Sequence, residues 1–365
     1  NKHTGSGDEL LADPVVRRTF LGGWSMPEFT DILNAIVLFS NFVLVPAVSY
    51  GAQLALGALG ITLVYGILRF SNFAHGDTMA FGTMAVIIVT WGFQSMGISF
   101  GPLPTALLAL PFGILGAVAL TLVFDKTVYK FYRAKKSAPV IFVIVSTGVM
   151  FMTNAIVRFI IGPSDQRFMD GTKFIFRSRE FKEFTGLSEG LALKSTQVLT
   201  LTVTIICVAA LFYFLQKTRT GKAMRAFSDN KDLALLSGIN PDRVVLITWI
   251  LVAALATTAG TLYGLDKSFK PFTYFMLLLP MFAAAIVGGI GSPIGAVVGG
   301  FVIAFSEVIV TYAYKKFFIY LMPESLEPTG LMQFLSTDYK FAVSFIILVV
   351  VLLIRPTGIF KGQSI

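Results

Sequence analysis

Apolar residues run in long blocks rather than in alternation. Ten hydrophobic segments stand at approximately 31–50, 53–69, 76–95, 103–124, 139–161, 196–215, 244–264, 276–290, 293–312 and 341–355. A helix of about twenty apolar residues crosses a hydrocarbon core of about 30 Å. In lipid an open chain satisfies its backbone only as a helix, and the sequence lacks the dyad alternation of a membrane barrel. The pattern predicts an all-α, polytopic helical membrane protein. The second and eighth blocks are short, which predicts partial, broken or tilted spans.

The polar connections set an orientation. "DKTVYKFYRAKK" (125–136) carries Lys126, Lys130, Arg133, Lys135 and Lys136 against one acid, and 216–243 carries six bases against three acids. Basic connections of this kind stay in the cytoplasm. Counting crossings outward from them puts both chain ends inside and puts 162–195 and 313–340 outside. Five crossings in each half then run in opposite senses, the arithmetic of an inverted repeat. "GISFGPLP" (97–104) and "GIGSPIG" (289–295) occupy the same connection of each half. The outer connection 162–195, with six bases and five acids, is too long for a minimal turn and predicts a small folded cap, either facing a soluble partner or merely solvated.

Composition sharpens this reading only in places. The chain of 365 residues is 55% hydrophobic and 13% charged, and its formal charge of +9 fits basic cytoplasmic loops, so nucleic acid is not an expected partner. Cys207 lies in an apolar run and predicts a small buried hydrophobe rather than a disulfide or metal site. The polar start "NKHTGSGDE" reads as a processed or added leader. With "DPVVRRTFLGGW" it forms a cytoplasmic or interfacial extension over 1–30, able to touch the membrane surface through Phe20, Leu21 and Trp24.

Four stretches carry candidate chemistry. "RFSNFAHGD" (69–77) gathers Arg69, Asn72, His75 and Asp77 at a cytoplasmic junction, where Asn72 and Asp77 are expected to cap helix ends or serve a hinge. The one other histidine is His3, so a pair of histidines cannot hold a metal within the membrane domain. "AAAIVGGIGSPIGAVVGG" (283–300) resembles a phosphate loop but lacks the G-x-x-x-x-G-K-[ST] pattern; its Gly289 and Gly291 suit close helix approach, with Pro293 restarting a helix. "TGKA" (220–223) also fails that pattern, so the chain does not bind ATP by that route. Of the charged residues only Arg158 and Glu307 fall well inside the apolar blocks, both toward the outer side; they either line a pathway or form a structural ion pair or interface contact, and Asn154 shares the face of Arg158.

"KTRTGKAMRAFSDNKDLALLSGINPDRV" (217–244) is the fourth stretch. After Ser228 or Asp229 as N-cap, a short helix carries Leu233, Leu235, Leu236 and Ile239, and is closed by Gly238 and Pro241. A second turn opened by Gly221 bears Met224 and Phe227 on one side. Helices this short need something to pack on. Lipid headgroups would serve, with Lys222 and Arg225 facing them, but two helices broken by glycine make a knob better suited to a docked protein.

"YGILRFSNFAHGD", "TRTGKAMRAFSDNKDLALLSGINPDRVVLITW", "AAAIVGGIGSPIGAVVGG" and "DYKFAVSFIILVVVLLIRPTGIFKG" together resemble the membrane permease of branched-chain amino acid ABC importers, the LivH type, over residues 50–361. The resemblance implies a bacterial inner-membrane subunit with five kinds of association: a homologous second permease (LivM type), two ATP-binding subunits (LivG and LivF type), a periplasmic binding protein and membrane lipid. It implies no enzyme and no cofactor on this chain, with ATP and Mg held by the partner ATPases. It also makes 217–240 the coupling segment that inserts into an ATPase groove, with Ala223, Met224, Ala226, Leu235, Leu236 and Gly238 as contacts. Urea, short amides or other amino acids remain open as cargo on the same scaffold. A secondary carrier would need ion-coordinating groups on broken midplane helices, and an enzyme a convergent acid, base or nucleophile set; the sequence displays neither.

Overall fold

The computed structural model describes residues 29–168, 171–322 and 330–360. The extension assigned to 1–30, with Phe20, Leu21 and Trp24, lies almost wholly outside them. Helices account for nearly all regular structure: α1 (Phe29–Phe39), α2 (Val45–Leu68), α3 (His75–Ser95), α4 (Ala106–Phe124), α5 (Lys130–Ala134), α6 (Pro139–Ile161), α7 (Ser178–Thr185) and α8 (Ser195–Lys217). Then follow α9 (Arg219–Asp229), α10 (Lys231–Leu236), α11 (Pro241–Asp266), α12 (Pro271–Gly288), α13 (Pro293–Thr311), α14 (Lys315–Leu321) and α15 (Lys340–Ile354). The strands β1 (Phe174–Phe176) and β2 (Leu193–Lys194) pair antiparallel and, with α7, give the 162–195 connection its fold.

Local chemistry sets the helix ends. Pro139, Pro241, Pro271 and Pro293 open α6, α11, α12 and α13, where a missing N–H costs nothing. Asn240 and Ser292 cap two of these helices, accepting from the Arg243 and Gly295 amides at 3.2 and 3.1 Å.

Among the described residues nine helical stretches, not ten, are long and apolar enough to cross a membrane. The blocks read as 31–50 and 53–69 are one 40-residue helical stretch, α1 and α2 joined through the π-helical turn Ser40–Leu44. Its polar middle, Ser49, Tyr50 and Gln53, is buried against protein rather than exposed in a turn. The crossing arithmetic changes with it. The side chains of Asn34 and Asn41 accept hydrogen bonds from the Glu189 and Ala192 amides, both at 3.0 Å, so the start of α1 lies on the face of the 162–195 cap. The far end lies elsewhere: the Ile359 and Phe360 amides bond to the Val287 and Gly288 carbonyls at the opposite end of α12. Phe29 and Phe360 therefore sit on opposite faces of the bundle; the chain ends themselves, expected inside, lie outside the described residues.

The repeat survives with a different unit. Residues 45–161 supply α2, α3, α4 and α6, and residues 241–354 supply α11, α12, α13 and α15, with α8 between them. Within each unit the second helix packs on the third and fourth: α3 on α4 and α6, α12 on α13 and α15. The first helices are exchanged: α2 packs on α12 and α13 of the other unit, while α11 packs on α3 and α4. The C-terminal end of α2 (Ile67) and the N-terminal part of α11 (Val244) share one apolar cluster, so these two helices run antiparallel and the units are inverted. They form the buried axis, with every residue of α2 from Ser49 to Val64 buried. Small residues permit this approach: a Cβ on Gly300 would stand 2.7 Å from the Ala55 amide nitrogen.

Candidate functional site

At the face carrying the basic connections, α9 and α10 form the expected knob. Thr218 caps α9, accepting from the Gly221 amide at 3.0 Å. Asn230, rather than Ser228 or Asp229, caps α10 by accepting from the Leu233 amide at 3.0 Å. Gly238 closes α10 with a φ of +79°, a left-handed conformation that favours glycine.

The knob has an inner and an outer side. Met224, Phe227 and Ala234 are buried in a cluster with Ile67 and Val244, so α9 rests on the end of α2 and the start of α11. The Ser228 hydroxyl donates to the Gly66 carbonyl at 3.0 Å, and the Arg69 guanidinium donates to the Ser228 carbonyl. Met224, expected among the partner contacts, instead anchors the knob to its own bundle, because the amphipathic face of α9 covers α2. Leu235 and Leu236 do point outward, Leu236 at 86% exposure, and Leu233 joins them although it was not among the expected contacts. Ala226 and Gly238 are exposed and Ala223 is half-buried. Knob, α2 and the turn at Gly291 and Pro293 enclose a cavity of about 540 Å³.

The glycine-rich turn belongs to the same face. Gly289 and Gly291 take φ values of +111° and +88°, which side chains resist. A Cβ on Gly358 would meet the Gly289 Cα at 2.6 Å, so the C-terminal segment is laid closely across this turn.

Residues 69–74 break the chain between α2 and α3, on the face of the knob. Arg69 ends α2 in a left-handed conformation, φ +58°. Asn72 accepts from the Ala74 amide at 3.1 Å and from the Tyr129 hydroxyl at 3.4 Å, holding the turn before α3. His75 is fully buried with its Nε2 3.0 Å from where a Gly60 Cβ would stand. Asp77 does not bind a helix end; its carboxylate accepts from the Asn154 amide of α6 at 2.6 Å.

Arg158 and Glu307 do not pair. Arg158 is exposed on α6 with Asp77 as its charged neighbour, whereas Glu307 on α13 is buried and receives the Ser344 hydroxyl of α15. Tyr50 and Lys340 complete the surroundings of Glu307. Spacing along the chain gave both residues a depth but not the helix each would face. Uncharged polar residues that the sequence reading passed over, Ser49 and Gln53 on α2 and Thr257 and Thr261 on α11, are buried along the exchanged helices. Among the described residues no cluster of three or more His, Cys, Asp or Glu is gathered for a metal.

Residues 43–352 match the family described as branched-chain amino acid transport system, permease component. The high-affinity branched-chain amino acid transport system permease protein LivH of Escherichia coli (strain K12) is 30% identical over 318 residues, 86% of this chain and 92% of that protein. The corresponding BraD of Pseudomonas aeruginosa is 28% identical over 336 residues, 92% of this chain and 97% of that one. A probable branched-chain amino acid transport permease protein LivH of Methanocaldococcus jannaschii is 30% identical over 332 residues, covering 88% and 93%. The matched span takes in the exchanged axis, the break between α2 and α3 and the knob, and this chain belongs to the branched-chain amino acid transport permease family.

Proposed function

We propose that this chain is the membrane-spanning permease subunit of an ATP-driven importer in a bacterial inner membrane, moving aliphatic, branched-chain amino acids into the cytoplasm by alternating access. A periplasmic binding protein delivers the cargo. A second, homologous permease completes the path. Two ATPase subunits hold ATP and Mg and dock on the knob. The names of the relatives support the cargo class, and the charge-poor spans suit a zwitterion with an apolar side chain.

One observation carries the mechanism: the knob is two-sided. Leu233, Leu235 and Leu236 are exposed on a short helix that gains little from water, which fits a groove on a docked protein. Met224, Phe227 and Ser228 fasten the same knob to the end of α2. Displacing the knob therefore displaces a helix that touches both inverted units. The hinge candidates lie where that motion would be absorbed: Asn72, His75 and Asp77 after α2, with Asn154 beside them, and Gly289 and Gly291 beside the knob cavity. Arg158 and Glu307, on separate units, are candidate pathway groups.

The test is ATP-driven uptake of labelled leucine, isoleucine and valine into proteoliposomes holding the permease, its co-purified partners and the binding protein. Leu236→Glu or Gly238→Trp is expected to abolish uptake while the chain stays inserted. Normal uptake in both variants refutes the coupling assignment. Uptake of urea or an amide instead overturns the cargo, and uptake without ATP overturns the importer class.

A further inference from the structure

A second cavity on the same face is separate from the space between the knob and the glycine turn. It encloses about 740 Å³ between the ends of α2 and α5, the starts of α6 and α11, and the outer flank of the knob. Its floor is apolar: Ile67, Phe142, Phe227 and Val245. Its rim carries Lys130, Arg133, Lys136 and Lys231, with Asp232 and Asp242.

The charges are not equivalent. Arg133 is committed, its guanidinium donating to both oxygens of Asp125 at 2.6 and 3.0 Å. Asp232 and Asp242 lie in the first turns of α10 and α11, where a carboxylate complements the helix dipole. Lys130, Lys136 and Lys231 remain, and among the described residues no carboxylate lies within ion-pair distance of them. Lys231 stands 5.9 Å from the centre of the Phe227 ring, on the cavity wall.

Apolar surface that suits hydrocarbon lies close in sequence to the lining residues Lys130, Pro139 and Phe142. Phe131, Val140 and Ile144 are exposed by 51%, 62% and 67% on the stretches that lead into and form spans. Three uncommitted ammonium groups over an apolar floor, at the level where spans leave the membrane, match a phosphodiester carrying acyl chains.

We propose that this cavity binds the headgroup of an anionic phospholipid from the adjoining leaflet, its phosphodiester held by Lys130, Lys136 and Lys231 and its chains lying along Phe131, Val140 and Ile144. The bound lipid braces the flank of the knob against α5 and α6. The site rests on this geometry and stands whether or not the chain imports amino acids.

The test is native mass spectrometry of the full chain released from vesicles of equimolar phosphatidylglycerol and phosphatidylcholine. The wild type is expected to retain phosphatidylglycerol preferentially. The triple variant Lys130→Ala, Lys136→Ala, Lys231→Ala is expected to retain it about a hundredfold less well, at the usual contribution of a base near anionic lipid. The matching triple Lys→Arg variant restores retention, and alanine at Lys126, outside the lining, leaves it unchanged. Equal retention of the two lipids, or retention unaffected by the alanine triple, overturns the proposal. Displacement of the lipid by millimolar inorganic phosphate also overturns it, by assigning the site to a soluble anion.

Discussion

Phe227→Ala tests whether the knob transmits motion through its inner side. Met224 and Phe227 are 1% and 4% exposed, and each such burial contributes about 1.5–3 kcal/mol. The Ser228 hydroxyl on the Gly66 carbonyl adds about 1 kcal/mol, so these contacts seat the knob on α2 by about 5 kcal/mol. Truncating the ring removes its transfer term and leaves a cavity against Ile67 and Val244, a loss of about 3–5 kcal/mol, which is most of the seat. Leu233, Leu235 and Leu236 are untouched, so ATPase subunits still dock. Leucine uptake and ATP hydrolysis, measured in parallel in proteoliposomes, then separate: hydrolysis persists, while leucine carried per ATP falls about tenfold, within the usual range for a lost coupling contact. An unchanged ratio of leucine to ATP in a variant that assembles normally would refute transmission through α9 and α2.

Two further substitutions test the fold that supports this linkage. Gly300→Val forces a Cβ to within 2.7 Å of the Ala55 amide nitrogen and 2.8 Å of its Cα, and is expected to destabilise by about 1–3 kcal/mol or more, seen as a lower Tm in detergent. Gly92→Ala, which meets nothing within 4 Å, should leave Tm unchanged, and equal effects would refute close packing of α2 on α13. Trp249→Phe keeps a ring stacked on Tyr129 at 5.3 Å but removes the indole donor to Asp125 at 2.6 Å. A loss of about 1.5–3 kcal/mol is expected for a hydrogen bond to a charged group, and an unshifted Tm would refute that bond as a tie between α11 and the turn joining α4 to α5.

The spans were legible because a run of apolar residues near the membrane thickness has few alternative structures, and the knob was legible through Gly238, Pro241 and its amphipathic spacing, although its N-cap was misplaced. What escaped had a common cause. Ser49, Tyr50 and Gln53 resemble a polar turn when hydropathy is summed along the chain, yet a polar side chain facing other helices contributes the same sum as one facing water. The turn read there was the middle of α2, and the crossing count and five-helix halves fell with it. Met224 shows the same limit on a smaller scale: periodicity identifies an apolar face but not what covers it. Arg158 and Glu307 show it in the membrane plane, because sequence spacing fixes the height of a residue on its helix and leaves its azimuth open.

The unbroken passage from α1 through the π-turn into α2 ties distant parts of the molecule to one rod. Its outer stretch holds the cap through Asn34 and Asn41, and its inner end holds Ser228 through Gly66. Any protein that changes the free energy of the rod from the cap side changes it equally for whatever grips the knob, since coupling between two binding events is reciprocal. In the proposed importer, delivery of cargo and closure of the ATPases would then need no separate messenger within this subunit: each would be a load on the same beam, and each would feel the other's weight.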